Sequence, residues 1–214
     1  HHLLAQEQGT YHDVFSYRIK EQWSESAFRC ALEQLIRDNE LLRSLIFTKG
    51  ERLLHYIYKN IAAPLRVYDL RSLSPVEQEN HLATWCEAEK KADFTEGMPL
   101  WSIIIHHLDD KHFQYSLSFH HALMDGWSVA VLQKELFSLY LMAVNNKPLI
   151  HSEALPYRYF IAEEAAILLS RAARNYWMAF VEGVELPWWT GTQKQGRCVV
   201  HLQLSDNQTN LLQT

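Results

Sequence analysis

The sequence predicts an α/β fold, because segments with the two-residue period of a half-buried strand are interleaved with segments whose apolar residues recur at helical spacing. Cap and turn residues separate these segments. Hydrophobic residues make up 48% of the 214-residue chain, charged residues 21%, and glycines number seven, which marks a globular chain rather than a disordered one. The length suffices for a sizeable core, organised as one large domain or one and a half.

The elements follow in order. Residues 12–20, with Val14, Phe15, Tyr17 and Ile19, read as a strand. Ser24 is placed to cap a helix whose apolar positions are Ala27, Phe28, Ala31, Leu32, Leu35 and Ile36. Leu41 to Phe47 and Arg52 to Tyr58 read as a strand pair around the turn Lys49-Gly50-Glu51. Ser74-Pro75-Val76-Glu77 is a helix start, since serine caps, proline suits the first turn and Glu77 reaches back to the cap amide. That helix is expected to run to about Ala92. Trp101 to His107 and Lys111 to His120 form a hairpin joined at Asp109-Asp110. Val129, Leu132, Leu136, Leu139 and Tyr140 mark a further helix, ended near Asn145-Asn146-Lys147-Pro148, and one long helix is expected from about Tyr157 to Glu182.

Composition changes at Gly183 to Gly196, which carries Pro187, Trp188 and Trp189 with three glycines and reads as a connector. Arg197 to Leu204 begins a new strand, and Ser205-Asp206 caps a helix in which the chain stops, leaving Leu211 and Leu212 without a partner. A fragment is therefore expected.

A formal net charge of −5 with no basic run argues against nucleic acid as a partner. The apolar stretches are too short or too interrupted to span a bilayer, and no signal peptide is visible at the start. Cys30, Cys86 and Cys198 are scattered and odd in number, as expected of reduced thiols in a cytoplasmic protein.

The stretch that carries chemistry is His120-His121-Ala122-Leu123-Met124-Asp125-Gly126, a short loop between a strand and a helix. Imidazole exchanges a proton near neutral pH, and the glycine keeps the loop open. In Phe113 to Phe119 apolar and polar residues alternate. Continued, the alternation puts His121 on the face of Tyr115, Leu117 and Phe119, and His120 on the face of Gln114, Ser116 and Ser118. The two rings then point apart, so one of them does the chemistry. Divergent rings, and the lack of a helical His-x-x-x-His, also disfavour a metal site.

This run resembles the His-His-x-x-x-Asp-Gly core of the condensation domains of nonribosomal peptide synthetases, within the chloramphenicol-acetyltransferase-like superfamily. Other segments match the same family in order. Asp38-Asn39-Glu40-Leu41-Leu42-Arg43-Ser44 is similar to its Arg-His-x-x-Leu-Arg-Thr motif. Asp93-Phe94 to Gly97-Met98-Pro99-Leu100 is similar to the segment leading into the strand before the active site. Pro156 to Phe160, followed by Asn175-Tyr176-Trp177, is similar to the region near the end of the first lobe. Asn39, Ser44 and Tyr159 depart from the family's histidine, threonine and aspartate, but none of them touches His121.

The resemblance implies a two-layer sandwich lobe, with a mixed sheet and helices packed on one side. It assigns residues 1–182 to the N-terminal lobe, 183–196 to the inter-lobe connector and 197–214 to the start of a truncated C-terminal lobe. It implies amide-bond formation between an acyl or peptidyl thioester and an aminoacyl thioester. Both would be held on phosphopantetheine arms brought by upstream donor and downstream acceptor carrier domains, since the chain lacks a Gly-Gly-x-Ser carrier motif. His121 corresponds to the catalytic histidine, as general base or as positioner of the amine. His120, Asp125, Gly126 and Arg43 correspond to structural parts of the site: His120 supporting the loop, Asp125 ion-paired with Arg43, and Gly126 lining the tunnel where a side chain would block it.

His1-His2-Leu3 to Gly9 resembles the extra motif of dual epimerization/condensation domains, with the glycine one residue late and Thr10 in place of aspartate. Competing readings are an epimerization domain, a non-catalytic recruitment domain, which intact His121 argues against, and a stand-alone acyltransferase using free coenzyme A. A heterocyclizing variant would have aspartate where His120 stands. The isolated chain is expected to condense nothing, because half of the tunnel wall is absent.

Overall fold

The computed structural model describes residues 11–49, 52–152 and 155–184. The N-terminal histidine pair and the expected elements beyond residue 184 lie outside the described residues. The chain divides into two compact units, His1–Ala165 and Ala166–Thr214.

The first unit is built on a four-stranded mixed sheet in the order β1-β6-β5-β4. Its strands are β1 (His12–Lys20), β4 (Leu65–Asp69), β5 (Trp101–Asp109) and β6 (His112–His120). β1 and β6 pair antiparallel, as do β5 and β6, whereas β4 and β5 run parallel. Parallel neighbours need a crossover, and the helix α2 (Pro75–Glu89) supplies it. β2 (Ser44–Lys49) and β3 (Arg52–Ile57) form a separate hairpin.

The alternation in the strands decides what covers each face. Phe113, Tyr115, Leu117 and Phe119 of β6, with Trp101, Ile103 and Ile105 of β5, bury against α1 (Glu25–Asp38) and α3 (Gly126–Val144). Phe28, Leu32 and Leu35 come from α1, and Leu132, Leu136 and Tyr140 from α3. Tyr140 also reaches across to the chain before α1, accepting from the Ser24 amide at 3.0 Å and donating to the Gln22 carbonyl at 3.1 Å. Ser24 stands at the N-cap of α1, but its hydroxyl makes no cap bond; the Tyr140 tether holds that end instead.

The opposite face carries Ser116, Ser118, His106 and His120, all buried. α2 lies against it. Gln78 donates to the Leu108 carbonyl at 2.9 Å, Arg66 pairs with Glu89 at 2.7 Å, and the Trp85 ring meets His106 edge-on at 4.9 Å. The expected mixed sheet with its helical layer is present, and α2 adds cover on the second face that the expected one-sided packing did not include. The reason is the β4–α2–β5 crossover, whose first strand was not legible in the sequence: Leu65–Asp69 is five residues long and half-exposed at the sheet edge.

The capping box of α2 forms as expected: the Ser74 hydroxyl accepts from the Glu77 amide at 3.4 Å, and the Glu77 carboxylate accepts from the Ser74 amide at 2.8 Å. Before β5, Gly97 adopts φ +77°, and a Cβ there would lie 3.0 Å from the Phe47 ring, so the motif glycine is required twice over. The long C-terminal helix is broken. α4 (Tyr157–Leu169) ends at Ser170, whose hydroxyl accepts from the Ala173 amide at 3.2 Å and starts α5 (Arg171–Phe180) afresh.

His106 sits in an aromatic nest, stacked on Tyr68 at 5.1 Å and flanked by His81 and Trp85. Neither ring nitrogen has a hydrogen-bond partner among the described residues. Burial, with smaller contributions from His81 and Arg66, pushes its pKa down to about 4. The unfolded chain takes up this proton near pH 6.5 and the folded chain only near pH 4, so stability is full above pH 6.5 and is lost as pH falls through that window. The expected loss is about 3 kcal/mol by pH 4. Urea unfolding of wild type and His106→Phe at about pH 7 and about pH 4.5 measures it, and the variant is expected to lose less on acidification.

Candidate active site

The site begins where β6 ends. β1 and β6 are in register from His12↔His120 to Lys20↔His112, and the ladder continues one step further, with the His121 amide donating to the Tyr11 carbonyl at 2.8 Å. Extended backbone up to that point keeps the two histidine rings on opposite sides of the sheet.

His120 turns inward and is 6% exposed. The Phe94 ring stands perpendicular to it at 5.7 Å and also meets His12 edge-on at 4.7 Å. His120 Nδ1 accepts from the Ala122 amide at 2.9 Å, and its carbonyl accepts from the Leu123 amide at 3.0 Å. An imidazole nitrogen that accepts carries its lone pair, so in the neutral ring the proton sits on Nε2. His120 therefore ties its ring to the start of the loop.

His121 turns outward on the Phe119 face, the two rings 5.3 Å apart. Its side chain is 36% exposed, and its Nε2 lies 2.9 Å from the Asp13 carboxylate. Asp13 pairs with Phe119 across the β1–β6 ladder, which puts its side chain on the same face. Asp13 was not singled out in the sequence. Finding it needs the register between two strands far apart in the chain, and no local pattern supplies that.

Asp125 and Arg43 do not form the ion pair expected of them. Asp125 caps α3: one carboxylate oxygen accepts from the Ser128 amide at 2.8 Å and from its hydroxyl at 2.6 Å. These bonds hold its carboxyl below the usual carboxylate range. Arg43 spends its donors on carbonyls, those of Ile36 at 3.0 Å, Tyr58 at 2.6 Å, Lys59 at 3.3 Å and Arg37 at 3.4 Å. The last turn of a helix leaves carbonyls unmet, and a 3-10 turn at Glu40–Arg43 delivers a guanidinium to them at the end of α1. The arginine thus clamps α1 to the end of β3.

Gly126 is the first residue of α3. Its φ lies outside the left-handed region, and a Cβ built on it meets nothing within 4 Å. Nothing among the described residues would be displaced by a side chain there.

A cleft of about 650 Å³ opens beside His121. His121, Met124 and Asp125 line one side, Leu41 contributes from the 3-10 turn, and Tyr157, Tyr159, Phe160 and Glu163 come from the start of α4. Tyr157, Tyr159 and Phe160 belong to the segment whose family resemblance was visible in the sequence, but their place beside His121 was not; Glu163 lies outside that segment. Among the described residues, no group of three or more His, Cys, Asp or Glu is placed to hold a metal ion.

The family model of the condensation domain matches residues 1–212. The chain belongs to the condensation-domain family. Its curated relatives include one chain of the linear gramicidin synthase of Brevibacillus parabrevis, 28% identical over 189 residues, and tyrocidine synthase 2 of the same organism, 26% identical over 189 residues. The matches cover 87% and 86% of this chain but 2% and 5% of those proteins. Among solved structures, the starter condensation domain of the rhizomide synthetase superposes with a TM-score of 0.74 at 17% identity, over 87% of this chain and 48% of that one. The first condensation domain of the calcium-dependent antibiotic synthetase superposes with a TM-score of 0.71 at 20% identity, over 87% and 45%. The fold is thus that of a condensation domain, and the chain spans less than half the length of these solved domains.

Because Arg43 and Asp125 serve separate helix ends, their effects on stability are expected to add. Arg43→Ala should destabilise the chain by about 1–3 kcal/mol through its unmet carbonyls, Asp125→Ala should lose only a helix cap, and the double variant should show the sum. A double-mutant cycle by urea unfolding checks this; strong coupling would restore the ion pair.

Proposed function

We propose that this chain is the N-terminal lobe of a peptide-bond-forming condensation domain in a nonribosomal peptide synthetase. Residues 1–182 form the lobe, 183–196 the connector and 197–214 the opening of the second lobe. The observation that carries the reading is His121: the second histidine of the family motif is turned out of the core, held by a carboxylate, and opens onto a cleft. Its neighbour His120 is buried, which leaves one imidazole for chemistry. The match to peptide synthases over nearly the whole chain supports the same reading.

The substrates are two thioesters on phosphopantetheine arms, delivered by donor and acceptor carrier domains in the cytoplasm. A thioester is already activated, so the site needs no serine or cysteine nucleophile. It must bring two tethered ends together, manage the amine proton and stabilise a tetrahedral oxyanion. His121 touches the attacking amine. Asp125 and Arg43 keep the ends of α3 and α1 in place around it, and the second lobe closes the channel. No helix among the described residues is long and apolar enough to cross a membrane.

In the complete domain supplied with two loaded carriers, His121→Ala is expected to slow condensation by about 10²–10⁴-fold, read as product thioester by mass spectrometry. A variant within threefold of wild type refutes the role, and a D-configured product from a single loaded carrier favours the epimerization reading instead. Gly126→Ala separates folding from function. The unfolding midpoint of the chain should stay level or rise, since alanine favours a helix, while condensation by the complete domain falls as the side chain enters the channel. An unchanged rate would remove Gly126 from the channel wall.

A further inference from the structure

Two carboxylates lie near His121, and the one that engages its ring is not the carboxylate of the motif. Asp125 is occupied by the Ser128 amide and hydroxyl. Asp13, from β1, sits 2.9 Å from His121 Nε2. The strand pairing holds this contact from both sides: Asp13 is opposite Phe119, and the His121 amide is tied to the Tyr11 carbonyl two residues before Asp13. The Phe119 ring packs against the imidazole and limits its tilt.

We propose that Asp13 is a positioning residue for His121, holding its Nε2–H and leaving Nδ1 as the nitrogen that handles the amine proton. This deepens the condensation reading and rests on it. A carboxylate is acceptor-only, so a neutral imidazole facing it must present N–H there and carry its lone pair on the other nitrogen. His121 Nδ1 makes no hydrogen bond to any described residue. The same division of labour fixes the imidazole in triads, where the carboxylate selects the tautomer and steadies the imidazolium without taking the proton itself.

The acceptor amine nitrogen bonds to the thioester carbonyl carbon, giving a tetrahedral intermediate with an ammonium and an oxyanion. Nδ1 of His121 removes one ammonium proton, and the resulting imidazolium is stabilised by Asp13. Collapse re-forms the carbonyl and breaks the carbon–sulfur bond. The thiolate takes the proton from Nδ1, leaving an amide, a free pantetheine thiol and neutral His121.

The test combines spectroscopy on this chain with kinetics of the complete domain. In ¹⁵N-histidine-labelled wild type, long-range ¹⁵N–¹H spectra should show His121 with its proton on Nε2. In Asp13→Asn, which is isosteric, the two tautomers should mix, with the histidine signals unmoved apart from those of the adjacent His12, which also feels the Asp13 charge. In the complete domain, Asp13→Asn should lower kcat by about 10- to 100-fold, with KM for the acceptor-loaded carrier within about threefold of wild type. A wild-type ring protonated on Nδ1, identical wild-type and variant spectra, or a kcat within twofold of wild type overturns the proposal. Should the wild-type domain condense nothing, the condensation reading falls, and the spectra still decide whether Asp13 holds the ring.

Discussion

The antiparallel register of β1 against β6 is the constraint on which the site depends. It is a single alignment, His12 opposite His120, and it decides three things together. It sends His120 under Phe94 and His121 out to the cleft, and it brings Asp13 onto the face of His121. A slip of one residue would exchange the faces of β6. The apolar side chains from Phe113 to Phe119 would then meet α2, and Ser116 and Ser118 would meet α1 and α3. The slip is opposed by the burial of four aromatic and aliphatic side chains on one face. On the other it is opposed by the paired hydroxyls of Ser16 and Ser116 at 2.7 Å and the His12–Ser118 contact at 2.7 Å.

What the sequence disclosed was what local chemistry decides. The alternation in β6 separated the two histidines correctly, the Ser74-Pro75-Val76-Glu77 run placed the start of α2, and the apolar spacing placed α1 and α3. What it concealed depends on partners distant in the chain. β4 is short and lies at an edge, and its two inward residues, Leu65 and Val67, become meaningful only beside β5. The break at Ser170 was hidden because the flanking residues all favour helix, whereas a hydroxyl that caps the next turn offers a competing local solution.

The Arg43–Asp125 expectation failed for an instructive reason. Both residues stand in recognisable motifs, and a buried ion pair is an economical way to join two motifs. Each instead meets the demand of its nearest helix end. Asp125 answers the unmet amides at the start of α3, and Arg43 answers the unmet carbonyls at the end of α1. Helix-end satisfaction is local and forms with the helix, and here it claimed both side chains. The charge that steadies His121 came from β1 instead. The site is consequently assembled from three separate stretches of chain: β1 gives the carboxylate, the end of β6 the imidazole, and the start of α4 the aromatic wall of the cleft.

We propose that the outward histidine, and not its buried neighbour, meets the reacting amine. The most direct measurement is a structure of the complete domain with a stable acceptor-substrate analogue tethered to its carrier. The analogue's amine is expected within hydrogen-bond reach of the His121 ring, about 3 Å, with His120 still covered by Phe94. An amine seated away from His121, or His120 rotated out to meet it, would remove His121 from the reaction.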